Sequence, residues 1–438
     1  MSLERRLLDA LAPWRDAAAW YVGFSGGLDS SVLLHLLAAV REREALPPLH
    51  ALHVHHGLQA VADQWPAQCA RLCAELKVPL EVLRVQVADE ASVEQAARRA
   101  RYAAFAQRLE PGACLLTAQH RDDQAETLLL RLLRGAGVRG LASMPSQRTL
   151  GAGHLLRPLL TVPRSELEAY AQAHRLSWVE DPSNDDPAFA RNYLRHRVMP
   201  VLTEQWPQAA ACLARSAEHL AEAEQLLGEL AEQDLHAART LNDCTWLALP
   251  SLEVAVLSRL SEARQRNALR HWLAPLTAMP DSDHWAGWQD LRDASVDAEP
   301  VWRLNGGELR RSRGRVWWLG GDWLREPAPL DGVGPVTEQI MPLPGNGHLS
   351  LTGRPPVGPL HLAYRQGGET LALAGRGHRD LKRLLAESDL PAFVRGRLPL
   401  LWRGDELLGV ANCPGLRGAG EQGWELHWSP PTSDSGLS

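Results

Sequence analysis

The chain has 438 residues, 45% of them hydrophobic and 22% charged, a balance usual for a globular protein of two or three domains. No run of about 18 apolar residues occurs, which excludes a membrane-spanning helix and a membrane partner. The formal net charge of −6 argues against a surface that binds nucleic acid all over, although it allows local basic patches.

The first residues and the cysteines both favour the cytoplasm. The opening segment MSLERRLLDALAPW has the pattern of an amphipathic helix and lacks the apolar stretch and cleavage site of a signal peptide. The six cysteines include no C-x-x-C pair, and Cys69 and Cys73 have no neighbouring ligand that would complete a metal site. We therefore expect reduced thiols in a cytoplasmic protein.

Strand-like and helix-like segments alternate over the first third of the chain. Strands are predicted at 20–24, 48–58, 80–87 and 113–120, and helices at 30–44, 62–78, 92–109 and 121–135. This alternation predicts an α/β domain with a parallel, Rossmann-like sheet that is covered on both faces. Ligands of such domains bind beyond the carboxyl ends of the strands.

The later residues predict two further domains. An acidic amphipathic helix is predicted at 217–238 and another helix at 251–273, followed by a Pro- and Gly-rich boundary at 327–360. The stretch from 361 to 428 mixes short strand-like runs with one helix, RDLKRLLAES. We predict a catalytic nucleotide-binding domain at 1–206, a mainly helical middle domain at 207–345 and a small α+β domain at 346–438.

The segment SGGLDS, residues 25–30, stands between the first predicted strand and helix. Backbone N–H groups at a helix N-terminus bind anions, glycines allow close approach, and serines add hydroxyl donors. The predicted phosphate-binding residues are Ser25, Gly26, Gly27, Leu28, Asp29 and Ser30. Asp29 would repel a phosphate unless a cation lies between them, which predicts Mg²⁺ at Asp29. The alternative is a plain strand–turn–helix built of small residues.

This loop resembles the pyrophosphate loop (PP-loop) of the N-type ATP pyrophosphatases, which cleave ATP between its α and β phosphates. Later motifs resemble, in the same order, those of the tRNA(Ile)-lysidine synthetase family. They are SVEQAARRARYAAF (92–105), TAQHRDDQAETLLLRLLRGAGVRGL (117–141), DPSN (181–184), RNYLRHRVMP (191–200) and the segment 375–410. The segment VHHGLQ departs from the family at His55 and Gln59, where the family has asparagine and arginine.

The resemblance implies a ligase that uses ATP and Mg²⁺. Its partners would be free L-lysine and tRNA(Ile) with a CAU anticodon. The wobble cytidine at position 34 would be adenylated, and lysine would then displace AMP at C2, changing decoding from AUG to AUA and identity from Met to Ile. A PP-loop thiolase and a non-catalytic RNA-binding protein are the alternatives. Against them count the missing cysteine pairs and the retained acids. A homodimer stays open.

The helix at 121–135 carries the other predicted catalytic residues. Asp122, Asp123 and Glu126 are spaced to project partly together, so that one carboxylate could share Mg²⁺ and another hold the lysine ammonium. A carboxylate or His120 could take the proton of the lysine amine. Acids also favour a helix N-terminus without any function. Arg134 would stabilise charge on the α-phosphate or simply end the helix.

Basic residues in two places predict contacts with tRNA. Arg191, Arg195 and Arg197 lie on one predicted helix, where structural ion pairing is the alternative. For Arg98 and Arg101, contact with RNA and a position on a solvated helix face are both possible interpretations. Residues 376–403 hold seven Lys or Arg and three acids, a difference of +4, and we predict that this segment grips the acceptor stem. Its predicted contacts are Arg379, Lys382 and Arg383.

Overall fold

The computed structural model describes residues 2–57, 63–88, 93–239, 244–278, 285–295, 298–330 and 340–433. The chain divides into two compact units, 1–226 and 227–438. This division falls inside one long helix, and the predicted domain limits at 206 and 345 stay predictions. Within the described part of the chain, no helix is long and apolar enough to cross a membrane.

The first unit is built on a six-stranded sheet. Its strands are β1 (Trp20–Gly23), β2 (Leu49–His55), β3 (Leu80–Arg84), β4 (Cys114–Leu116), β5 (Gln147–Leu150) and β6 (Gly153–Leu156). Their order in the sheet is β3-β2-β1-β4-β6-β5, and every neighbouring pair is parallel except β5 with β6. The predicted parallel sheet is confirmed.

Helices follow or precede these strands along the chain. They are α1 (Leu3–Leu11), α2 (Leu28–Arg41), α3 (Trp65–Glu75), α4 (Val93–Arg108), α5 (Arg121–Leu132), α6 (Val138–Leu141), α7 (Arg164–Ala173), α8 (Ala190–Tyr193), α9 (Met199–Gln205) and α10 (Ala209–Ala238). A π-helical stretch, Leu194–Val198, joins α8 to α9, and α10 runs across the division between the two units.

Both faces of the sheet are buried, because successive side chains of a strand point to opposite faces. Trp20 and Val22 of β1 pack in one apolar cluster with residues of α1, α2, α3 and α7. Tyr21, between them, belongs to a second cluster with residues of α4, such as Phe105. Two apolar layers therefore hold the carboxyl ends of β1, β2 and β4 at one edge.

Two predicted boundaries shift at that edge. The strand predicted at 113–120 ends at Leu116, because the next residues turn out of the sheet and His120 caps α5. The helix predicted from residue 30 begins at Leu28, so Asp29 and Ser30 lie in its first turn. Polar residues that the sequence pattern had placed in the strand thus form a loop beside the phosphate-binding segment.

The second unit combines short helices with antiparallel sheets. Its elements are β7 (Ser251–Glu253), α11 (Val254–Ser258), α12 (Glu262–Leu273), α13 (Ala286–Asp293), β8 (Val301–Leu304), β9 (Gly307–Ser312), β10 (Arg315–Gly320), β11 (Met341–Pro342), β12 (His348–Gly353), β13 (Leu360–Ala363), β14 (Thr370–Leu373), β15 (Gly377–Asp380), α14 (Leu381–Glu387), α15 (Ala392–Arg395), β16 (Leu400–Arg403), β17 (Glu406–Val410) and β18 (Trp424–Ser429).

The helices α11 to α13 fit the predicted helical middle, and a four-stranded sheet, β7-β10-β9-β8, accompanies them. The single helix predicted at 251–273 is instead a strand and two helices, since Ser261 accepts a hydrogen bond from the N–H of Arg264 and starts α12 afresh. Three smaller sheets, β11-β12-β18, β13-β16-β17 and β14-β15, form the strand-rich end of the chain together with α14 and α15.

Candidate active site

The phosphate-binding segment has a backbone shape that glycine makes accessible. Gly26 adopts φ +86, and a Cβ placed on it would lie 2.9 Å from the Sγ of Cys69. Its carbonyl accepts a hydrogen bond from the N–H of Val179 (2.8 Å), which ties the loop to the segment after α7. The hydroxyls of Ser25 and Ser30 lie 3.1 Å apart at the start of α2. Backbone N–H groups and hydroxyls are thus gathered at one helix N-terminus, as anion binding requires.

Asp29 lies in the first turn of α2 with 33% of its side chain exposed, and His120 faces it from the cap of α5. The Nε2 of His120 is 3.7 Å from the Oδ2 of Asp29. Burial raises the pKa of Asp29, and the neighbouring Asp123 adds to that rise, although His120, Arg164 and Arg195 counteract it. Among the described residues, the Oδ1 of Asp29 and the Nε2 of His120 are buried without a hydrogen-bond partner.

Asp123, Glu126, Arg191 and Arg195 form a compact group, which we call the acid–arginine cluster. Arg191 donates to the Oδ1 of Asp123 (2.9 Å) and the Oε2 of Glu126 (2.8 Å). Arg195 donates to the Oδ1 of Asp123 (3.1 Å) and to both oxygens of Glu126 (2.7 and 3.0 Å). The carboxylate side chains are only 12% and 3% exposed. The ion pairing that the sequence left open for these two arginines is present.

The cluster sets the protonation of its members. Burial alone would raise the pKa of Asp123, but His120, Arg191, the backbone N–H of His120 and Arg195 together hold it below the usual value. Burial opposes the charge of Arg195, yet its hydrogen bond to Glu126 and the attraction of Glu126, Asp123 and Asp29 raise its pKa. These shifts favour the charged forms of Asp123 and Arg195, and the formal charges of the two carboxylates and two guanidinium groups balance.

A cleft of about 710 Å³ opens between the carboxyl ends of the strands and the segment after α7. Its lining joins the phosphate-binding segment to Asp123 and Arg195. The sequence had assigned no site role to several further lining residues: His53, His56, Tyr102, Arg164, Glu168, Trp178, Asp181, Asn184 and Asp185. DPSN marked the last segment in the sequence, but nothing in its composition indicated that it faces the cleft.

Two histidines from the end of β2 line the cleft in a neutral form. Burial lowers the pKa of His56 to about 4, with Arg101 adding to the effect. Burial likewise lowers the pKa of His53, whose Nδ1 lies 2.9 Å from the carbonyl oxygen of Phe24. His55, at the first departure from the family motif, points elsewhere, with its Nε2 3.0 Å from Asp63. Gln59, the second departure, lies outside the described residues.

Several other predicted residues are absent from the cleft lining. Asp122 is one-third exposed and accepts a hydrogen bond from the N–H of Arg164 (3.0 Å). Arg134 is exposed beyond the end of α5 and does not belong to the cleft lining, and Arg197 is exposed on the π-helical stretch. In the second unit, Arg379, Lys382 and Arg383 are exposed on β15 and α14.

The structural fit for a cation rests on Asp29. Its Oδ1 is the buried, unpartnered carboxylate oxygen described above, and burial disfavours its charge unless an opposite charge compensates it. Mg²⁺ often binds one or two carboxylates and takes its other oxygens from phosphates and water. No group of three metal-binding side chains occurs in the described ranges, and such a site does not need one.

Comparison with protein families divides the chain into three matched segments. Residues 1–202 match the PP-loop domain, residues 252–317 the TilS substrate binding domain, and residues 360–428 the TilS substrate C-terminal domain. The chain is 63% identical to a tRNA(Ile)-lysidine synthase of Pseudomonas aeruginosa and 61% identical to one of Pseudomonas fluorescens. Each alignment covers 100% of this chain and 99% of the relative.

The chain belongs to the tRNA(Ile)-lysidine synthase family. The predicted resemblance is confirmed, as is the PP-loop domain with its use of ATP. Among solved structures, the U34-tRNA thiolase of Methanococcus maripaludis is 17% identical with a TM-score of 0.42, and the match covers 50% of this chain and 78% of that one. The loop, the cleft and the acid–arginine cluster all lie in the segment that matches the PP-loop domain.

Proposed function

We propose that the chain ligates free L-lysine to C2 of the wobble cytidine of tRNA(Ile) with a CAU anticodon, consuming ATP and releasing AMP and diphosphate. One observation carries the proposal: a phosphate-binding loop and a buried cluster of acids and arginines meet at a single cleft. The product would decode AUA rather than AUG and would be charged with isoleucine. Membership of the family supports the same reaction.

In the first step, the O2 of the cytidine attacks the α-phosphorus of ATP, and the bond to the bridging oxygen of diphosphate breaks. The N-terminus of α2 and the hydroxyls of Ser25 and Ser30 would hold the departing diphosphate. His120 accepts the Asp123 N–H at its Nδ1, which leaves Nε2 as the nitrogen of the ring that can donate a proton. That proton is available to a phosphate oxygen.

Asp29 would hold Mg²⁺ through its unpartnered oxygen. When bound, Mg²⁺ offsets the negative charge of the phosphates and of the leaving diphosphate. Asp29 would therefore hold the cation, and the neighbouring loop residues would hold the anion.

Free lysine carries two ammonium groups and one carboxylate, which matches the charges of the acid–arginine cluster and Asp122. Lysine would exchange partners with the cluster: its ammonium groups would approach Asp122, Asp123 or Glu126, and its carboxylate would approach an arginine fork. The cluster is neutral and preformed, so this exchange leaves no buried charge unpaired.

In the second step, the ε-amine of lysine attacks C2, and AMP leaves. The amine must first lose a proton, because a free lysine ammonium has a pKa of about 10.4. The Nδ1 of His120 already accepts a backbone N–H, which leaves a carboxylate among Asp122, Asp123 and Glu126 as the favoured acceptor.

Among the cations that the sequence assigned to tRNA, the exposed ones are the proposed contacts. Arg197 on the first unit and Arg379, Lys382 and Arg383 on the second are exposed and can meet backbone phosphates. The forks of Arg191 and Arg195 are occupied by carboxylates. We further propose a cytoplasmic location, where tRNA, ATP and free lysine occur together. A homodimer stays open.

The rival reaction, sulfur transfer to tRNA, meets a specific obstacle. Burial raises the pKa of Cys69 to about 12 and that of Cys73 to about 11, so both thiols are protonated and poorly nucleophilic.

The test is AMP release from ATP in the presence of tRNA, with and without lysine. We expect release to require lysine and the isoleucine tRNA with a CAU anticodon, and elongator methionine tRNA with the same anticodon to be inactive. AMP release that requires tRNA but does not depend on lysine would contradict the assignment of lysine as the nucleophile. No release with any tRNA would contradict the enzyme altogether.

A further inference from the structure

A second concave surface of the first unit, of about 470 Å³, is dominated by arginine. We call it the arginine groove. It is formed by α4, the end of α5, the turn before β5, and β5 with the residue after β6. No carboxylate belongs to its described lining. The lining residues are Gln95, Arg98, Arg99, Tyr102, Arg131, Ser143, Met144, Pro145, Arg148 and Arg157.

Two of these arginines form a fixed floor. Arg157 is only 4% exposed and donates to the carbonyl of Pro145 (2.6 Å), while its buried Nε has no partner among the described residues. Arg131 donates to the carbonyls of Gly140 (2.6 Å) and Ser143 (2.9 Å). Neutral carbonyls thus orient both guanidinium groups without cancelling their charge.

Two others form an exposed rim. The guanidinium groups of Arg98 and Arg148 lie 4.9 and 5.3 Å from the centre of the Tyr102 ring. Across the described residues, no carboxylate forms an ion pair with Arg98, Arg131, Arg148 or Arg157. Burial lowers the pKa of Arg131 and of Arg157. Tyr102 raises that of Arg157, whereas Arg98 lowers both and Arg148 lowers that of Arg157, so the arginines repel one another.

The groove is next to the cleft, because Tyr102 lines both. The proposed reaction brings one cytidine of an RNA strand into the cleft to reach the α-phosphate of ATP. The phosphates on either side of that nucleotide are covalently attached to it, so they stay near the cleft when the base enters it. Because the groove adjoins the cleft at Tyr102, it is within reach of one of these phosphodiesters.

We propose that the arginine groove binds a backbone phosphodiester of the substrate RNA beside the nucleotide that enters the cleft. This proposal rests on the proposed function for the identity of the RNA. Guanidinium forks match the geometry of phosphate oxygens, and the fixed floor needs no reorganisation to receive one. A bound phosphate would also compensate the mutual repulsion of the arginines.

The test measures binding of a fluorescently labelled anticodon stem–loop RNA to the full chain over a series of KCl concentrations. The groove variant is Arg98→Gln with Arg148→Gln, because both side chains are exposed and their removal leaves the floor in place. The matched control is Arg71→Gln with Arg84→Gln, two exposed arginines that line neither the cleft nor the groove.

We expect the groove variant to bind RNA about tenfold more weakly for each arginine removed, since hydrogen bonds to charged groups are strong. The slope of log affinity against log salt should fall by about 0.7 to 0.9 for each phosphate that the variant no longer neutralises. The control should match the unchanged chain in both quantities. In lysine transfer, the rise in KM for tRNA should exceed any change in kcat.

A groove variant that matches the control in affinity and in salt slope would overturn the proposal. Calorimetry with inorganic phosphate distinguishes a site for RNA phosphodiesters from a site for free phosphate. If the groove variant abolishes phosphate binding but leaves RNA binding unchanged, the groove is a small-anion site and the assignment to RNA is overturned. The binding measurement does not depend on turnover. Failure of the proposed function therefore appears as absent lysine transfer by the unchanged chain, whatever the groove variant does.

Discussion

The acid–arginine cluster of the first unit and the basic segment 376–383 of the second use the same kind of side chain in opposite ways. In the cluster, Arg195 donates three hydrogen bonds to two carboxylates that are almost fully buried. In the basic segment, the side chain of Arg383 is 80% exposed and pairs with Glu387, one turn along α14.

The two arrangements of charge differ in what they can bind. Buried and mutually bonded charges fix positions to within a hydrogen bond and depend little on salt, which suits the proposed binding of lysine. Exposed charges fix little, but they attract a polyanion in a manner that weakens with salt. Composition alone hides this: three of the seven cations counted at 376–403 are engaged in the fold, Arg395 and Arg397 with carbonyls and Arg403 with Glu406 and Glu421.

The largest effect is expected at Asp29. Asp29→Asn keeps the size of the side chain but removes the charge that would hold Mg²⁺. Lysine transfer should fall about a thousandfold or more, because charge stabilisation at the phosphates is removed. RNA binding should change less than twofold, about the limit of such measurements. Asp16→Asn, on an exposed residue, is the control. Retained transfer in Asp29→Asn would contradict the role.

Arg195→Ala sharpens the contrast between buried and exposed charges. It leaves Asp123 and Glu126 short of a buried partner, and unfolding of the first unit should become easier by about 3 kcal/mol. Arg383→Ala, on α14, should change stability by about 0.5 kcal/mol or less. Urea unfolding followed by circular dichroism measures both. Equal effects of Arg195→Ala and Arg383→Ala on stability would contradict the difference drawn between the buried cluster and the exposed segment.

The triple variant Arg379→Gln, Lys382→Gln and Arg383→Gln tests the exposed region by its function. We expect KM for tRNA to rise about tenfold at low salt, with the KM values for ATP and lysine unchanged, because only long-range attraction and phosphate contacts are removed. The difference from the unchanged chain should shrink as salt increases. A salt-independent effect would indicate a different cause.

Asp29 also predicts an effect of pH on stability. Its pKa is raised in the folded chain, so the folded state holds this proton more tightly than the unfolded state does. Stability should therefore decrease as pH rises from the usual carboxyl value through the raised one. Without Mg²⁺, Asp29→Asn should melt about 2 °C higher than the unchanged chain at pH 7, with the difference vanishing at acidic pH. A lower melting temperature at pH 7 would contradict the shift.

The smallest effect is expected at Arg134. The role of Arg134 on the α-phosphate stays a prediction. Because Arg134 is exposed and does not line the cleft, we expect Arg134→Ala to change kcat by about twofold or less. A hundredfold decrease would show that Arg134 reaches the reacting phosphate during turnover. Arg139→Ala, also exposed, is the matched control.

The first unit was largely predictable because its local patterns agree with its fold. The apolar run before SGGLDS, the loop itself and the acids at the start of α5 each carry a local signal. The pairing of Glu126 with Arg191 does not, since 65 residues separate them and only the tertiary fold brings them together. The sequence did not predict the arginine groove for the same reason, because its floor and rim come from four separate segments.

The four-stranded sheet β7-β10-β9-β8 of the second unit was not predicted, for a different physical reason. All six residues of β10, RVWWLG, are buried, so the strand shows no alternation of polar and apolar side chains. Such a run cannot be distinguished by periodicity from a buried helix. The tryptophans at 317 and 318 belong to two apolar clusters, which agrees with a packing role for tryptophan rather than base stacking.

The most direct measurement is the chemical identity of nucleotide 34 after incubation of tRNA(Ile) carrying a CAU anticodon with the full chain, ATP, Mg²⁺ and isotope-labelled lysine. Nuclease digestion and mass spectrometry of the nucleosides would follow. We predict a cytidine that carries the lysine label at position 34, and none when ATP is omitted or when elongator methionine tRNA replaces the substrate. An unmodified cytidine 34, or a label at any other position, would contradict this prediction.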